Sequence, residues 1–400
     1  MSSPAARPMT GHVAWPMILA VSICHMLNDV MQSLLAAIYP LLQSEFALTF
    51  LQIGLLTFAF QVTASLLQPV VGMATDRRPM PQSLAAGMSC SLVGLLMLGM
   101  AESYPVLLAG AMAIGIGSAV FHPEASRVAR LASGGRFGTA QSLFQVGGNF
   151  GSAIGPLLAA FIVVPMGRPV IAWLALIAVP GIVILWRVGL WYGAQNAAAR
   201  SRPPASRELP LPGRRVAIAV GVLAILVFTK NIYTASIASY YTFFAIEKFG
   251  VTTQQAQIML FVFLAASALG VALGGPVGDR FGPQTVIWFS ILGVLPFTLL
   301  LPYVSLFWTI ILSAIIGIII ASAFPAIVVF AQELVPGRVG LVSGIFFGFA
   351  FGMGGIAAAA LGVIADKHSV TFVYQICAFL PLLGLLTILL PRRSELIGAA

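Results

Sequence analysis

Twelve runs of 18 or more mostly apolar residues fill most of this 400-residue chain, and runs of that length suit a lipid bilayer better than any soluble core. About 20 residues of α-helix cross the hydrocarbon layer, where each backbone amide must find its partner inside its own segment. The first six runs are Trp15 to Tyr39, Phe50 to Thr75, Gln82 to Ala101, Pro105 to Leu131, Gly138 to Val164 and Val170 to Trp191. The second six are Val216 to Ala245, Thr253 to Gly278, Gln284 to Pro302, Leu306 to Ala331, Val339 to Ala365 and Val370 to Leu390. Between the sets lies the polar stretch Tyr192 to Arg215, with Arg200, Arg202, Arg207, Arg214, Arg215 and four prolines. The expected architecture is an all-α polytopic membrane protein with twelve transmembrane helices. It has a six-helix half over residues 1–191, a cytoplasmic linker over 192–215 and a second six-helix half over 216–400.

Only 8% of the residues are charged, against about 25% in soluble domains, which excludes a water-facing enzyme. The net charge of +9 is carried by residues scattered singly between apolar runs, so no nucleic-acid partner is expected. Sixteen of the 20 cations, all arginine, fall on the two tails, in the even-numbered loops or on the span ends beside those loops. Arg168, Lys248 and Lys367 fall on the other side, and Lys230 lies in mid-span. The positive-inside rule then puts both termini in the cytoplasm. The amino tail carries Arg7 and no clear small-residue cleavage site follows it, so the first helix is expected to be retained. Cys24, Cys90 and Cys377 lie inside apolar runs, without metal or disulfide spacing, and read as small hydrophobes.

The two halves repeat at an offset of about 202 residues. Asn28, Gly72, Asp76 and Arg77 match Asn231, Gly275, Asp279 and Arg280, while Pro123, Gly135, Arg136 and Gly138 match Pro325, Gly337, Arg338 and Gly340. Half of these lie in loops, where apolar bias cannot create matches. Two homologous bundles make a substrate path at their interface the natural expectation.

Ionisable side chains inside the apolar runs need a reason, since each costs about 2.5–3.5 kcal/mol at the bilayer centre on insertion scales. His25, Asp29 and Gln32 follow i, i+4, i+7 and share one helix face. Asp29 reads as a proton carrier or as a structural acid bonded to Asn28 or His25. Glu124 reads as a second proton carrier or as an ordinary i, i+3 partner of Arg127. His25 and His122 suit a proton relay or hydrogen-bonded packing. Lys230 reads as an anion site, as a counter-charge to Asp29, or as a structural pair. Gln145 and Asn149 continue a polar stripe from Gln141, and with Gln32 and Tyr233 they are the remaining candidates to line a substrate path. Tyr233 belongs to an aromatic cluster that also suits the membrane-interface belt. Arg127 and Arg130 read as edge charges.

The loops Gly72-Met73-Ala74-Thr75-Asp76-Arg77-Arg78 and Gly275-Pro276-Val277-Gly278-Asp279-Arg280-Phe281-Gly282 resemble the signature loop of the major facilitator superfamily. In that loop the glycine permits close helix approach, while Asp and Arg make charge-dipole and ion-pair contacts that gate one conformational state. Pro79-Met80-Pro81 replaces the Gly-Arg segment that follows in the family. Gly147, Gly151, Gly155 and Pro156 resemble the helix-packing motif of the superfamily's proton-coupled drug exporters, with Ala159-Ala160 where a glycine pair is usual. Gln145 lies about 200° around the helix from Gly147, so one face packs while the other can meet a polar cavity.

The segments His25-Met26-Leu27-Asn28-Asp29, Ala37-Ile38-Tyr39-Pro40-Leu41-Leu42, Phe121-His122-Pro123-Glu124-Ala125-Ser126-Arg127 and Phe144-Gln145-Val146-Gly147-Gly148-Asn149 resemble one branch of that superfamily, the bacterial inner-membrane exporters of fosmidomycin-type phosphonate antibiotics. The later segment Ala331-Gln332-Glu333-Leu334-Val335-Pro336-Gly337-Arg338 fits the same branch. The resemblance implies antiport of protons against a small-molecule drug, in a monomer without cofactor or metal, with the first, fourth, seventh and tenth helices lining the cavity. The arginine that many members carry early in the fourth helix is replaced here by Ala111. An importer or exporter of a metabolite anion with the same fold is the rival reading, because fold does not fix direction or substrate. A membrane enzyme is not expected: no nucleophile elbow, phosphate-cradling loop or metal-spaced cluster is present.

Overall fold

The structure, a computed structural model, describes residues 12–48, 50–200, 209–392 and 395–396. Among them, eleven helices are long and apolar enough to cross a membrane. They are Trp15–Ala37, Leu55–Arg77, Ser83–Met100, Tyr104–Ala132, Phe137–Met166, Val170–Ala198, Gly213–Phe249, Ile258–Phe281, Pro283–Tyr303, Leu306–Leu334 and Val370–Leu389. The remaining span is the 29-residue helix Val339–Lys367, whose described apolar part is Val339–Gly354. Numbered in chain order, these are spans 1 to 12. Large apolar side chains such as Leu66, Phe161, Trp173, Phe261, Phe307 and Ile388 point outward, as a lipid-facing belt requires.

Several boundaries differ from the hydropathy pattern, among them those of spans 1, 6 and 7. Tyr39 opens a separate short helix, Tyr39–Phe46, instead of ending span 1. The sixth span stays helical to Arg200, because the alanine-rich segment after Gly193 favours helix and carries no proline. Span 7 begins at Gly213. Arg7, Arg202, Arg207 and Arg393 lie outside the described residues, as does the amino tail before the first helix, residues 1–11. Just past span 12, the backbone N–H of Arg392 and then the Arg215 guanidinium hold the Glu395 carboxyl below its usual range.

Glycines set the closest helix contacts. On span 5, a Cβ at Gly147 would strike the Ser22 carbonyl, at Gly151 the Met26 carbonyl and at Gly155 the Ser33 hydroxyl, so spans 1 and 5 pack backbone to backbone. Pro156 lacks an N–H for the helical ladder, and the helix Phe137–Leu158 passes into a π-turn at Ala159–Val163 just beyond it.

Span 2 packs on span 11 and span 8 packs on span 5, two contacts that the repeat interchanges. Both join the halves at the end that carries the Asp76 and Asp279 loops. Along the span 2 and span 11 seam, Gly340 meets Gly72, Gly344 meets Gln68 and Gly348 meets Ser65, whereas Gly362 meets Tyr240 of its own half. The apolar cores divide in the same way. One cluster joins the first half to Val216–Val227 of span 7 and to Ala323–Leu334 of span 10. A second, built on Tyr233, Tyr241, Phe244 and Tyr374, stays within the second half. The halves are therefore fused at the loop end and separate towards the other.

Candidate functional site

The spacing on span 1 turns His25, Asp29 and Gln32 to one side, and all three are buried. His25 Nε2 stands 3.4 Å from Asp29 Oδ2, and His122 Nε2, brought in by span 4, stands 3.5 Å from Asp29 Oδ1. The backbone fixes the other ring nitrogens. His25 Nδ1 donates to the Phe144 carbonyl at 2.7 Å, and His122 Nδ1 donates to the Ser118 carbonyl at 2.9 Å. A carbonyl can only accept, so both Nδ1 atoms carry hydrogen and both Nε2 atoms are left facing the carboxylate. Asn28 Nδ2 and Gln32 Nε2 also donate to Asp29 Oδ1, at 3.1 and 3.0 Å. The Ser118 hydroxyl donates to Gln32 Oε1 at 3.0 Å.

Two imidazole lone pairs converging on a carboxylate call for positive charge between them. A proton on either Nε2 supplies it. Among the described residues this is the one group of three His, Cys, Asp or Glu whose ligand-type atoms lie within 4.8 Å of one another. Three donors would leave a structural zinc ion short of its usual four.

Glu124, two residues after His122 on span 4, points about 200° away from it and joins a different network. Its Oε1 is paired with Arg127 Nη1 at 2.5 Å, the i, i+3 contact that the spacing allows. Arg127 Nη2 in turn binds Asp76 Oδ1 at 2.5 Å. The two intramembrane carboxyls therefore do not meet.

Lys230 sits half-buried near the middle of span 7, with Nζ 5.3 Å from the centre of the Phe324 ring. No ion pair joins it to Asp29, and among the described residues it makes no salt bridge. Aromatic rings stand between the two groups. Phe324 meets Phe347 edge to face at 5.2 Å, Phe347 lies 5.4 Å from the His122 ring, and Phe144 stacks on His25 at 4.0 Å.

The polar stripe on span 5 grows more exposed with distance from the fused end. Gln141 is buried and accepts from the Ser126 hydroxyl, Gln145 is half-buried with an unpartnered Oε1, and Asn149 is exposed. Gln32 is engaged by Asp29 and Ser118 instead of lining open space. Tyr233 lies in the second half's apolar cluster at 1% exposure, away from this stripe.

The two repeated loops work as reciprocal helix caps. Asp76 accepts from the backbone N–H groups of Gly340 (3.0 Å) and Leu341 (2.8 Å), at the N-terminus of span 11. Asp279 accepts from those of Gly138 (2.7 Å) and Thr139 (2.8 Å), at the N-terminus of span 5, and from the Thr139 hydroxyl (2.6 Å). Gly72 and Gly275 let these backbones touch. The ion pair expected inside each loop is absent. Asp76 takes Arg127 as its cation, while the Arg77 side chain is exposed and Arg280 lies over Phe281, because each carboxylate is already turned into the opposite half.

Sequence reasoning missed Gly148, Ser118, Phe144 and the Phe324–Phe347 wall. A Cβ on Gly148 would run into His25 Nε2 and come within 2.9 Å of Asp29 Oδ2, so this glycine makes room for the pair. Its neighbour Gly147 belongs to the recognised stripe, and Ser118 precedes His122 by one turn; those were the available signals. Sequence reasoning also missed a buried knot between the halves. There Gln332 Nε2 donates to Ser126 (3.2 Å) and Ser343 (2.8 Å), while Arg130 donates to Gln332 Oε1 (3.1 Å).

Known proteins resemble this chain along nearly its whole length. A family profile described as Major Facilitator Superfamily matches residues 21–252 and 222–399. The fosmidomycin resistance protein of Escherichia coli (strain K12) is 57% identical over 395 residues, covering 99% of this chain and 97% of its own. An uncharacterised MFS-type transporter of Bacillus subtilis (strain 168), YfnC, is 41% identical over 392 residues, covering 96% and 95%. Among solved structures, FucP in the outward conformation superposes with a TM-score of 0.70 at 18% identity, covering 93% of this chain and 98% of that one. The human organic anion transporter MFSD10 gives 0.72 at 16%, covering 94% and 99%.

Proposed function

The chain belongs to the major facilitator superfamily and is a multi-pass membrane transporter of small molecules, and on that premise we propose that it exports fosmidomycin-type phosphonate antibiotics, and other drugs, in exchange for protons. The membrane is a bacterial inner membrane, with both termini and the Asp76 and Asp279 loops on the cytoplasmic side and the monomer as the working unit. Export proceeds by alternating access, one six-helix half rocking against the other.

The observation that carries this reading is an ammonium, Lys230, with no salt bridge among the described residues, in one half, and a carboxylate held between two imidazoles, His25–Asp29–His122, in the other. An ammonium donates three charge-assisted hydrogen bonds and suits a phosphonate. Gln145 and Asn149 add neutral donors where the stripe opens. The Asp29 cluster holds the exchanged proton, while Glu124, bound to Arg127, belongs to the gate. The loop caps close the cytoplasmic side, so the fused end corresponds to the outward-facing state. The glycine stripe ending at Pro156 and the 57% identity to a fosmidomycin resistance protein favour export of a drug over handling of a metabolite anion.

Expression in a bacterial strain lacking its own exporters tests the reading. The chain should raise tolerance to fosmidomycin, and Asp29→Asn should return it to the level of the empty vector while still inserting in the membrane. Unchanged tolerance with well-inserted wild-type protein would refute drug export and leave the metabolite-anion transporter.

A further inference from the structure

The two ring nitrogens that face Asp29 carry the reading further. We propose that the exchanged proton resides on the two imidazoles, His25 and His122, with Asp29 as their fixed counter-charge, and that the cluster never empties: it cycles between one bound proton and two. This rests on proton exchange as proposed above.

The count follows from which atoms are already committed. Both Nδ1–H groups are held by backbone carbonyls, Phe144 and Ser118, so neither ring can turn to offer that hydrogen to Asp29. With no added proton, two Nε2 lone pairs would face a carboxylate at 3.4 and 3.5 Å, leaving net charge of one negative unit in a buried site. One proton on one Nε2 makes an imidazolium–carboxylate pair of zero net charge beside a neutral ring. A second proton on the other Nε2 gives each carboxylate oxygen its own cationic partner and leaves the cluster at plus one. No bond other than N–H forms or breaks, and the proton comes from and returns to water.

The surroundings admit the second charge. Span 5 faces the cluster with Phe144 and Gly148, span 11 with Phe347, and span 1 adds the amides of Asn28 and Gln32. Of the titratable groups on span 4, Glu124 is turned away onto Arg127. An imidazolium at His25 lies on the Phe144 face, and one at His122 lies 5.4 Å from Phe347, within cation–π range. Phe347 belongs to the second half, and through Phe324 it abuts Lys230. Proton occupancy in one half thus bears on a ring that the other half must carry away when the transporter turns.

Nitrogen-15 NMR of histidine-labelled protein in nanodiscs tests the assignment, with His12 and His368 replaced by asparagine. Each ring reports neutral Nδ1–H, neutral Nε2–H or imidazolium separately, and His25→Gln and His122→Gln assign the signals. The expected result is one cationic ring and one neutral Nδ1–H ring at high pH, and two cationic rings at low pH. Two neutral rings at every pH at which a pH gradient drives export would overturn the proposal, as would a neutral Nε2–H tautomer in both. A parallel uptake assay separates the failures. Wild-type protein that ignores the pH gradient defeats proton exchange itself, whereas gradient-driven uptake retained by the His25→Gln, His122→Gln double variant defeats only the imidazole assignment.

Discussion

At Lys230 a cation stands inside the membrane with an aromatic ring beside it and, among the described residues, no acid paired with it, an arrangement that invites an anionic guest. A charge-assisted hydrogen bond is worth about 1.5–3 kcal/mol, so Lys230→Gln should weaken fosmidomycin binding by about 10- to 150-fold while export of a neutral drug persists. Calorimetric titration checks the first and vesicle transport the second; unchanged affinity in a folded variant would reject the anion site. The two intramembrane carboxyls should behave differently. Asp29→Asn should abolish coupling, and Glu124→Gln should leave it in place while loosening the gate, because Glu124 is paired with Arg127 and not with the cluster. Proton release measured on drug addition distinguishes them. Gly148→Ala tests the packing of the site: the new methyl group overpacks His25 and Asp29, at a cost of about 1–3 kcal/mol, and should lower both thermal stability and proton coupling. A variant with unchanged coupling would show that the His25–Asp29 contact is not needed. Of these residues, Lys230 and the His25–Asp29 pair were legible from sequence, because a charge in an apolar run and an i, i+4 step need no tertiary information. The His122–Asp29 contact was not, since it joins spans 1 and 4, and Gly148 was hidden because an absent side chain leaves no chemical sign.

Between elements, the two loop carboxylates look equivalent in sequence yet differ in their partners. Asp279 caps span 5 through backbone N–H groups and a threonine hydroxyl, interactions worth up to about 2 kcal/mol at a helix N-terminus. Asp76 caps span 11 in the same way and also neutralises Arg127, whose repeat counterpart is the apolar Val329. Asp76→Asn should therefore shift the conformational balance away from the fused-loop state more than Asp279→Asn does. Double electron-electron resonance between spin labels at the loop ends of spans 2 and 11 would report this as a longer distance population. Equal shifts would mean that Arg127 adds nothing to the latch. The repeat made both loops recognisable, but it could not show that each aspartate reaches into the opposite half, because that contact depends on how the halves meet.

Across the whole molecule, the twelve-span pattern and the two-half repeat were readable from hydropathy and loop matches alone, since a bilayer imposes segment length directly. Hydropathy misplaced the ends of spans 1 and 6: span 1 stops at Ala37, short of its apolar run, and in span 6 local helix propensity outlasts the run. The separation of the cores into a shared cluster at the loop end and a private one in the second half could not be read from sequence, because each contributing residue is apolar either way. That separation, with a cation on one side of the seam and the His25–Asp29–His122 group on the other, suits the proposed exchange of drug for protons. Inverted membrane vesicles test it most directly. With the vesicle interior acidic, radiolabelled fosmidomycin should accumulate inside, the accumulation should collapse with a protonophore, and Asp29→Asn vesicles should take up none beyond control. Wild-type uptake that is indifferent to the pH gradient, or driven by the opposite gradient, would contradict proton-coupled export.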